Sequence, residues 1–421
     1  MLREHVRAKI PAHITPHGVN VRNRRSPMNT TPLHYESIVG AVAIIAVLAN
    51  GRLGASAEWV QQNSGTVDLL AGVHFADVQV GYAAGFLTVL KTVDGGATWE
   101  SVTCPTNHTF VSVFAKNATD VFVGRQGLYR STNGGASWRE IGGIVGAGSI
   151  FDIKFASHTT GYLVKWGVIY RTLDGGDNWN PVFSSGLFLA DITVADAQTI
   201  YVTGGITYDG ATRADFARSL DGGQTWETVP QPDLSEIMVS AWVGPREGYA
   251  FTISQDVLKT TNGGDSWVLV NGALGEIVLD ASFSDAQTGF GVCYSGNILS
   301  TTNGGVSWMV TPAGGGPLSA LARPCGGTCY AVGNNGRIFK RIVEPEAEAF
   351  RITGLNYDAA VEAVTLDIHS SPCKRYRIEV SLDVNTWSPL AESVPETGDW
   401  QYVISAVGQP SSFYRVVDLR R

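Results

Sequence analysis

The chain holds 421 residues, 44% hydrophobic and only 16% charged, which supplies core for more than one domain and excludes global disorder. Its 49 glycines, with 11 Trp, 14 Tyr and 16 Phe, favour short strands and tight turns over helical bundles. A net charge of −8 argues against a nucleic-acid binder.

Residues 1–57 carry seven bases and two acids, net +5, so the rest holds −8 − 5 = −13. Within this basic leader Ser37–Ala49 is an apolar run of 13 residues, short of the ~20 that span a bilayer. Ala55-Ser56-Ala57 follows as a small-x-small cleavage pattern. The leader therefore reads as a signal peptide cut after Ala57, and the protein as exported to a periplasm or the extracellular space.

Six segments then share one pattern: Thr92 to Trp99, Ser131 to Trp138, Thr172 to Trp179, Ser219 to Trp226, Thr260 to Trp267 and Thr301 to Trp308. Each holds Asp or Asn before Gly-Gly, at Asp94, Asn133, Asp174, Asp221, Asn262 and Asn303. The Trp spacings of 39, 41, 47, 41 and 41 match one four-stranded propeller blade. Asx-Gly-Gly suits a hairpin, because glycine supplies positive φ and the Asx side chain binds nearby N–H groups. The tryptophans are expected between neighbouring blades. Gly-aromatic strands such as Gly81-Tyr82 and Gly248-Tyr249 precede each box.

A seventh unit begins at Leu318 but lacks its box, while Trp59 lies 40 residues before Trp99, in step with the repeat. Trp59-Val60-Gln61 is thus predicted to supply the missing fourth strand and close a seven-bladed ring over 58–343. After a polar linker, 344–349, residues 350–421 alternate like short strands, predicting a small β-sandwich-like domain. The fold class is all-β throughout.

Five cysteines form no dense framework. Cys325-Gly-Gly-Thr-Cys329 could close a small hairpin by a disulfide in an oxidising compartment.

The box aspartates look structural, since Asn replaces Asp at three of six without disturbing the turn. No catalytic residue is assigned, and no phosphate loop or dinucleotide fingerprint opens a helix, so no cofactor is expected. Asp152, Asp191 and Asp280 share one register on inner strands and are weak candidates for a cation ring in the channel; their alternative is bonding to backbone N–H groups. Loops joining second and third strands carry Arg125, Lys165, Trp166, Tyr208, Arg213, Asp256, Tyr294 and Arg337, the candidate binding face. Lys165, Trp166, Tyr208 and Arg213, on adjacent blades, are expected to form one patch. The fourth-blade loop accounts for the 47-residue spacing.

The repeated pattern is the Asp-box, or BNR repeat. The longer unit, with Gly-Tyr strands and Asp-Gly-Gly-x-Thr-Trp hairpins closing as seven blades, resembles the photosystem II stability and assembly factor family. The resemblance implies an exported non-enzymatic scaffold whose protein partner is a membrane-protein assembly intermediate. The alternative is an Asp-box glycoside hydrolase, sialidase- or xyloglucanase-like, or a carbohydrate binder. Tyr376 to Ser381, Trp387 and Phe413 to Val416 are similar to small β-sandwich modules appended to exported bacterial proteins.

Overall fold

The structure is a computed structural model. It describes residues 58–342, apart from loop positions 107, 147, 185, 187, 209–210, 232–234 and 326–327, and outside that span a set of strands. Contacts divide the chain into one unit at Ser56–Val343 and a second made of Met1–Ala55 with Glu344–Arg421.

The first unit is a seven-bladed propeller of four-stranded antiparallel sheets. Its inner strands are Leu70–Phe75, Ser112–Ala115, Ile150–Phe155, Leu189–Val194, Ile237–Trp242, Val278–Phe283 and Leu318–Cys325, taken here as blades 1 to 7. The ring closes as the repeat register demands. Trp59–Gln62 pairs antiparallel with Ile338–Ile342, Trp59 facing Arg341 and Gln62 facing Ile338, and becomes the outer strand of blade 7. Trp59 is half-buried and meets Phe290 of blade 6 edge-on at 6.1 Å.

The core lies between blades. Second strands are buried along their whole length, as at Gly81–Gly85 and Gly248–Thr252. A tyrosine in five of them reaches the next blade. Tyr82, Tyr162, Tyr201, Tyr249 and Tyr330 donate their hydroxyls to the carbonyls of Ala118, Gly222, Pro245, Ala286 and Gly95, at 2.6–2.9 Å. Tyr201, Tyr249 and Tyr330 also stack on Trp242, Phe283 and Phe75, which end the next inner strand, with centroids 3.5–4.0 Å apart. The glycine before the aromatic is there for space: a Cβ at Gly81 would lie 2.5 Å from the Phe75 ring, and one at Gly248 2.6 Å from Trp242.

Each Asp-box is a hydrogen-bonded turn. Thr92 Oγ1 accepts the Gly96 N–H at 2.8 Å and donates to Asp94 Oδ1 at 2.8 Å. Asp94 accepts the Thr98 N–H at 2.9 Å and its hydroxyl at 2.6 Å. At Asn133 the polarity of the last bond reverses, and Nδ2 donates to Ser137 Oγ at 2.8 Å. The box tryptophans lean on the preceding blade: Trp226 on Tyr162, Trp267 on Phe216, Trp308 on Phe251. Trp99 and Trp179 are buried in the clusters that join blades 7 to 1 and 2 to 3, and Trp138 packs at the junction of blades 1 and 2.

Outside the propeller, Arg351–Asp358, Ala363–His369 and Asp399–Ser405 form a three-stranded sheet. Tyr376–Ser381, Ser388–Ser393 and Phe413–Asp418 form another, which Arg3–Arg7 and Ala43–Ile44 extend. Most of the apolar leader run, the Ala55-Ser56-Ala57 motif and the 344–349 linker lie outside the described residues. Among the described residues no helix is long and apolar enough to cross a membrane.

Of the expected hairpin pair, Cys329 is a buried free thiol and the side chain of Cys325 lies outside the described residues. The backbone register sets Cys325 opposite Thr328.

Candidate functional site

In a four-stranded antiparallel blade, the second-to-third turns and the entries to inner strands share one end, and the Asp-boxes sit at the other. Backbone bonds mark both ends: Phe86 N–H to Leu69 O at the first, Gly95 N–H to Gln79 O at the second. The inner strands surround a channel of about 470 Å³ that opens between these ends.

Asp152, Asp191 and Asp280 do line this channel. Each is turned toward the next blade. Asp152 accepts from its neighbour Ile153 N–H at 2.8 Å and, more weakly, from Ile192 N–H at 3.4 Å. Asp191 accepts the Ser240 N–H at 3.0 Å, and Asp280 the Leu321 N–H at 2.7 Å. Lys154 donates to both Asp152 oxygens at 2.7–2.8 Å. Its ammonium also lies in the field of Asp191 and Asp280 and supplies the positive charge that a bound cation would bring. Among the described residues no three His, Cys, Asp or Glu side chains are placed to hold a metal ion. The aspartates act as clasps between inner strands, which is the backbone-bonding alternative.

Burial dominates the electrostatics here. It raises Asp280 to about 7, and with the Asp152 charge raises Asp191 to about 6. Burial, with the Lys154 charge, lowers His74 to about 3. Neutral His74 thus accepts the Ala115 N–H on Nδ1 at 3.2 Å, one more clasp between blades. The box carboxylates behave oppositely. Hydroxyl and N–H bonds from Thr225 hold Asp221 down at about 2.

At the loop end, two candidate binders prove to be structural. Lys165 is only 4% exposed, and its Nζ donates to Gln126 O at 3.0 Å. Arg337 is 6% exposed, and its guanidinium ties together the carbonyls of Asn334, Ala313, Gly316 and Pro317. Both bind carbonyls of tight loops, those of Asn334 and Pro317 in addition to a backbone N–H. Arg125 and Asp256 are half-buried, and Arg125 borders a 220 Å³ hollow with His108, Tyr129 and Glu140. Tyr294 is exposed.

The fourth-blade insertion is not a loop but a ribbon. Ile200–Tyr208 and Ala211–Ser219 pair throughout, Tyr208 facing Ala211 and Ile206 facing Arg213. The side chains of Tyr208 and Arg213 lie outside the described residues. Of the expected patch of four, the described side chains are those of Lys165, which is buried, and Trp166, which is exposed.

Trp166 gains partners that sequence reasoning missed. It is 55% exposed, holds φ +46°, and meets Phe188 at 5.1 Å and Phe151 at 6.0 Å. Asp215, buried in the ribbon, accepts the Phe188 N–H at 2.9 Å and fixes that corner. The signal available was an aromatic opening the inner-strand segment, at Phe151 and Phe188, on adjacent blades. The result is an aromatic corner at the channel mouth, an exposed Trp166 on two half-buried phenylalanines, suited to gripping an apolar side chain.

The bases of the third strands do not converge on the loop end. Arg130 pairs with Asp120 of its own blade and Asp177 of the next, and Arg218 with Glu227 of its own blade and Asp265 of the next. A sialidase-type arginine clamp gains no support from them.

Residues 52–182 match the family model of the photosynthesis system II assembly factor YCF48, so the family resemblance read from the repeats stands over that stretch. No curated protein sequence matches the chain. A solved structure of YCF48 bound to D1 peptide is 18% identical, with a TM-score of 0.58, covering 70% of this chain and 98% of its own. YCF48 from Cyanidioschyzon merolae is 18% identical, with a TM-score of 0.57, covering 68% and 98%. The WD40 propeller domain of Doa1 is 10% identical, with a TM-score of 0.55 over 68% and 98%. At these identities the likeness shows the propeller fold.

Proposed function

We propose that this chain, similar to the photosystem II assembly factors, is an exported, non-enzymatic scaffold that holds an extended segment of a membrane protein during its assembly. The observation that carries the reading is the Phe151–Trp166–Phe188 corner at the channel mouth, in which Trp166 is exposed and both phenylalanines are half-buried. Large rings with few rotatable bonds bind side chains at low entropic cost. The family match and the peptide-bound relative support a polypeptide as the ligand. Export rests on the leader; a native chain whose mass begins at Glu58 supports it, and an intact leader on the native protein refutes it.

The test is capture of membrane-protein segments from the host on a peptide array by the full chain. Trp166→Ala with Phe188→Ala should lose most of the binding while the melting curve stays near wild type. Unchanged binding by that variant, or no binding by the wild type, refutes the reading.

A further inference from the structure

The fourth strand is the edge of every blade, so one row of its backbone N–H and C=O groups points outward without a strand partner. Open edges invite pairing, and proteins blunt them with charge, proline or shortness. Blades 1 to 4 follow that rule. Their outer strands carry Glu100, Glu140, Pro181 and Glu227, and two of the four are two residues long.

Blades 5 to 7 lack the charge, and only Pro312, at the end of blade 6's outer strand, answers the rule. Their outer strands, Val268–Asn271, Met309–Pro312 and Trp59–Gln62, are four residues each and hold no charge. The surrounding chain is equally neutral: 266–275, 301–317 and 59–67 contain no Asp, Glu, Lys or Arg. Val268, Leu269, Met309, Val310 and Val60 are all exposed, at 45–66%. One side of the ring thus presents apolar, uncharged outer strands with open hydrogen-bonding edges, flanked by the exposed Glu58 and Asp265.

We infer that this sector is the interface for a second copy of the chain, with Val268–Asn271 adding antiparallel to the same strand of its partner across a two-fold axis. Met309 and Val310 flank that seam and pack across it. Two arguments select the occupant. Unpaired N–H and C=O groups are costly in hydrocarbon, so a bilayer is a poor cover and a strand is a good one. The chain carries net −8, and two such bodies meet with least repulsion along outer strands that hold no charge. An isologous strand pair satisfies both conditions with residues already present.

The test is sedimentation velocity of the full chain up to about 100 μM, a range that reveals micromolar association. A concentration-dependent dimer is expected. Leu269→Lys with Val310→Lys should weaken it at least about tenfold, since a buried unpaired charge at each site is strongly unfavourable. Leu173→Lys with Leu220→Lys, exposed apolar sites on blades 3 and 4, should leave it intact. Should the first variant not fold, Leu269→Cys decides: oxidation must give a cross-linked dimer, and Leu173→Cys must not. A monomer throughout the range overturns the inference, as does a dimer indifferent to the Leu269 and Val310 changes. Binding of an added uncharged strand peptide by a wild-type monomer overturns it too. None of these outcomes depends on the aromatic corner, so this inference and the proposed function fail separately.

Discussion

Ring closure gives the sharpest quantitative expectation. Trp59→Ala removes an indole that packs against Phe290 and covers the cluster of Val292, Ile298, Leu318 and Phe339. A fully buried Trp→Ala change costs about 3–5 kcal/mol. Trp59 is only half-buried, so about 2 kcal/mol is expected, a fall in Tm of roughly 3 °C for a unit of this size. Val60, next along the same strand, is 56% exposed, and Val60→Ala should cost less than about 0.5 kcal/mol. Deleting Glu58–Gln62 should cost more than either, because it uncovers Ile338 and Phe339 and removes four paired positions. Chemical denaturation of the three variants measures the order directly. Equal stabilities for Trp59→Ala and Val60→Ala, or an unchanged Tm after the deletion, would refute the closure argument.

Three further outcomes follow from the geometry. Asp94→Asn should stay within about 0.5 kcal/mol of wild type, since Asn133 already makes the reversed bond to Ser137; Thr92→Val should cost about 1–3 kcal/mol by orphaning the Gly96 N–H, and a larger loss at Asp94 than at Thr92 would contradict this. Gly81→Ala should destabilise by about 1–3 kcal/mol, because its Cβ would press on the Phe75 ring; a neutral or stabilising change in urea melts sinks that reading. The channel sets a pH dependence: Asp191 and Asp280 titrate at about 6 and 7 in the folded state, above their unfolded value of 3.8, so the folded state binds more protons between pH 4 and 7 and stability falls as pH rises through that window. Asp280→Asn should flatten this dependence while its side-chain oxygen still accepts the Leu321 N–H; a Tm profile between pH 5 and 8 identical to wild type would count against it.

Much of the fold was legible because the repeat is strict. Trp spacing fixed blade number, and Trp59 in phase with Trp99 revealed the closing strand. The box turn was readable from residue types, since Asx-Gly-Gly has few other uses. The candidate site was less so. Lys165 and Arg337 looked like surface cations because sequence reports residue type and loop position, not whether a carbonyl-lined hollow lies behind. Phe151 and Phe188 passed as ordinary strand residues, since period-two patterning does not distinguish an inner strand's core side from the channel mouth. The ribbon of blade 4 was mistaken for a loop because Gly204-Gly205 and Asp209-Gly210 both read as breakers.

The closing strand also shapes how the molecule comes into being. Trp59 and Arg341 are neighbours in the sheet yet 282 positions apart in the chain. At a synthesis rate of about 5–20 residues per second, the N-terminal strand waits roughly 15–60 s for the segment it completes. During that interval blades 1 to 6 can assemble from local contacts, but the ring stays open and an apolar strand stays unpaired. Truncation before Ile342 makes that interval permanent. The ring is therefore committed only once Ile338–Ile342 has been made, and the nascent chain needs shelter in proportion to the length of that wait.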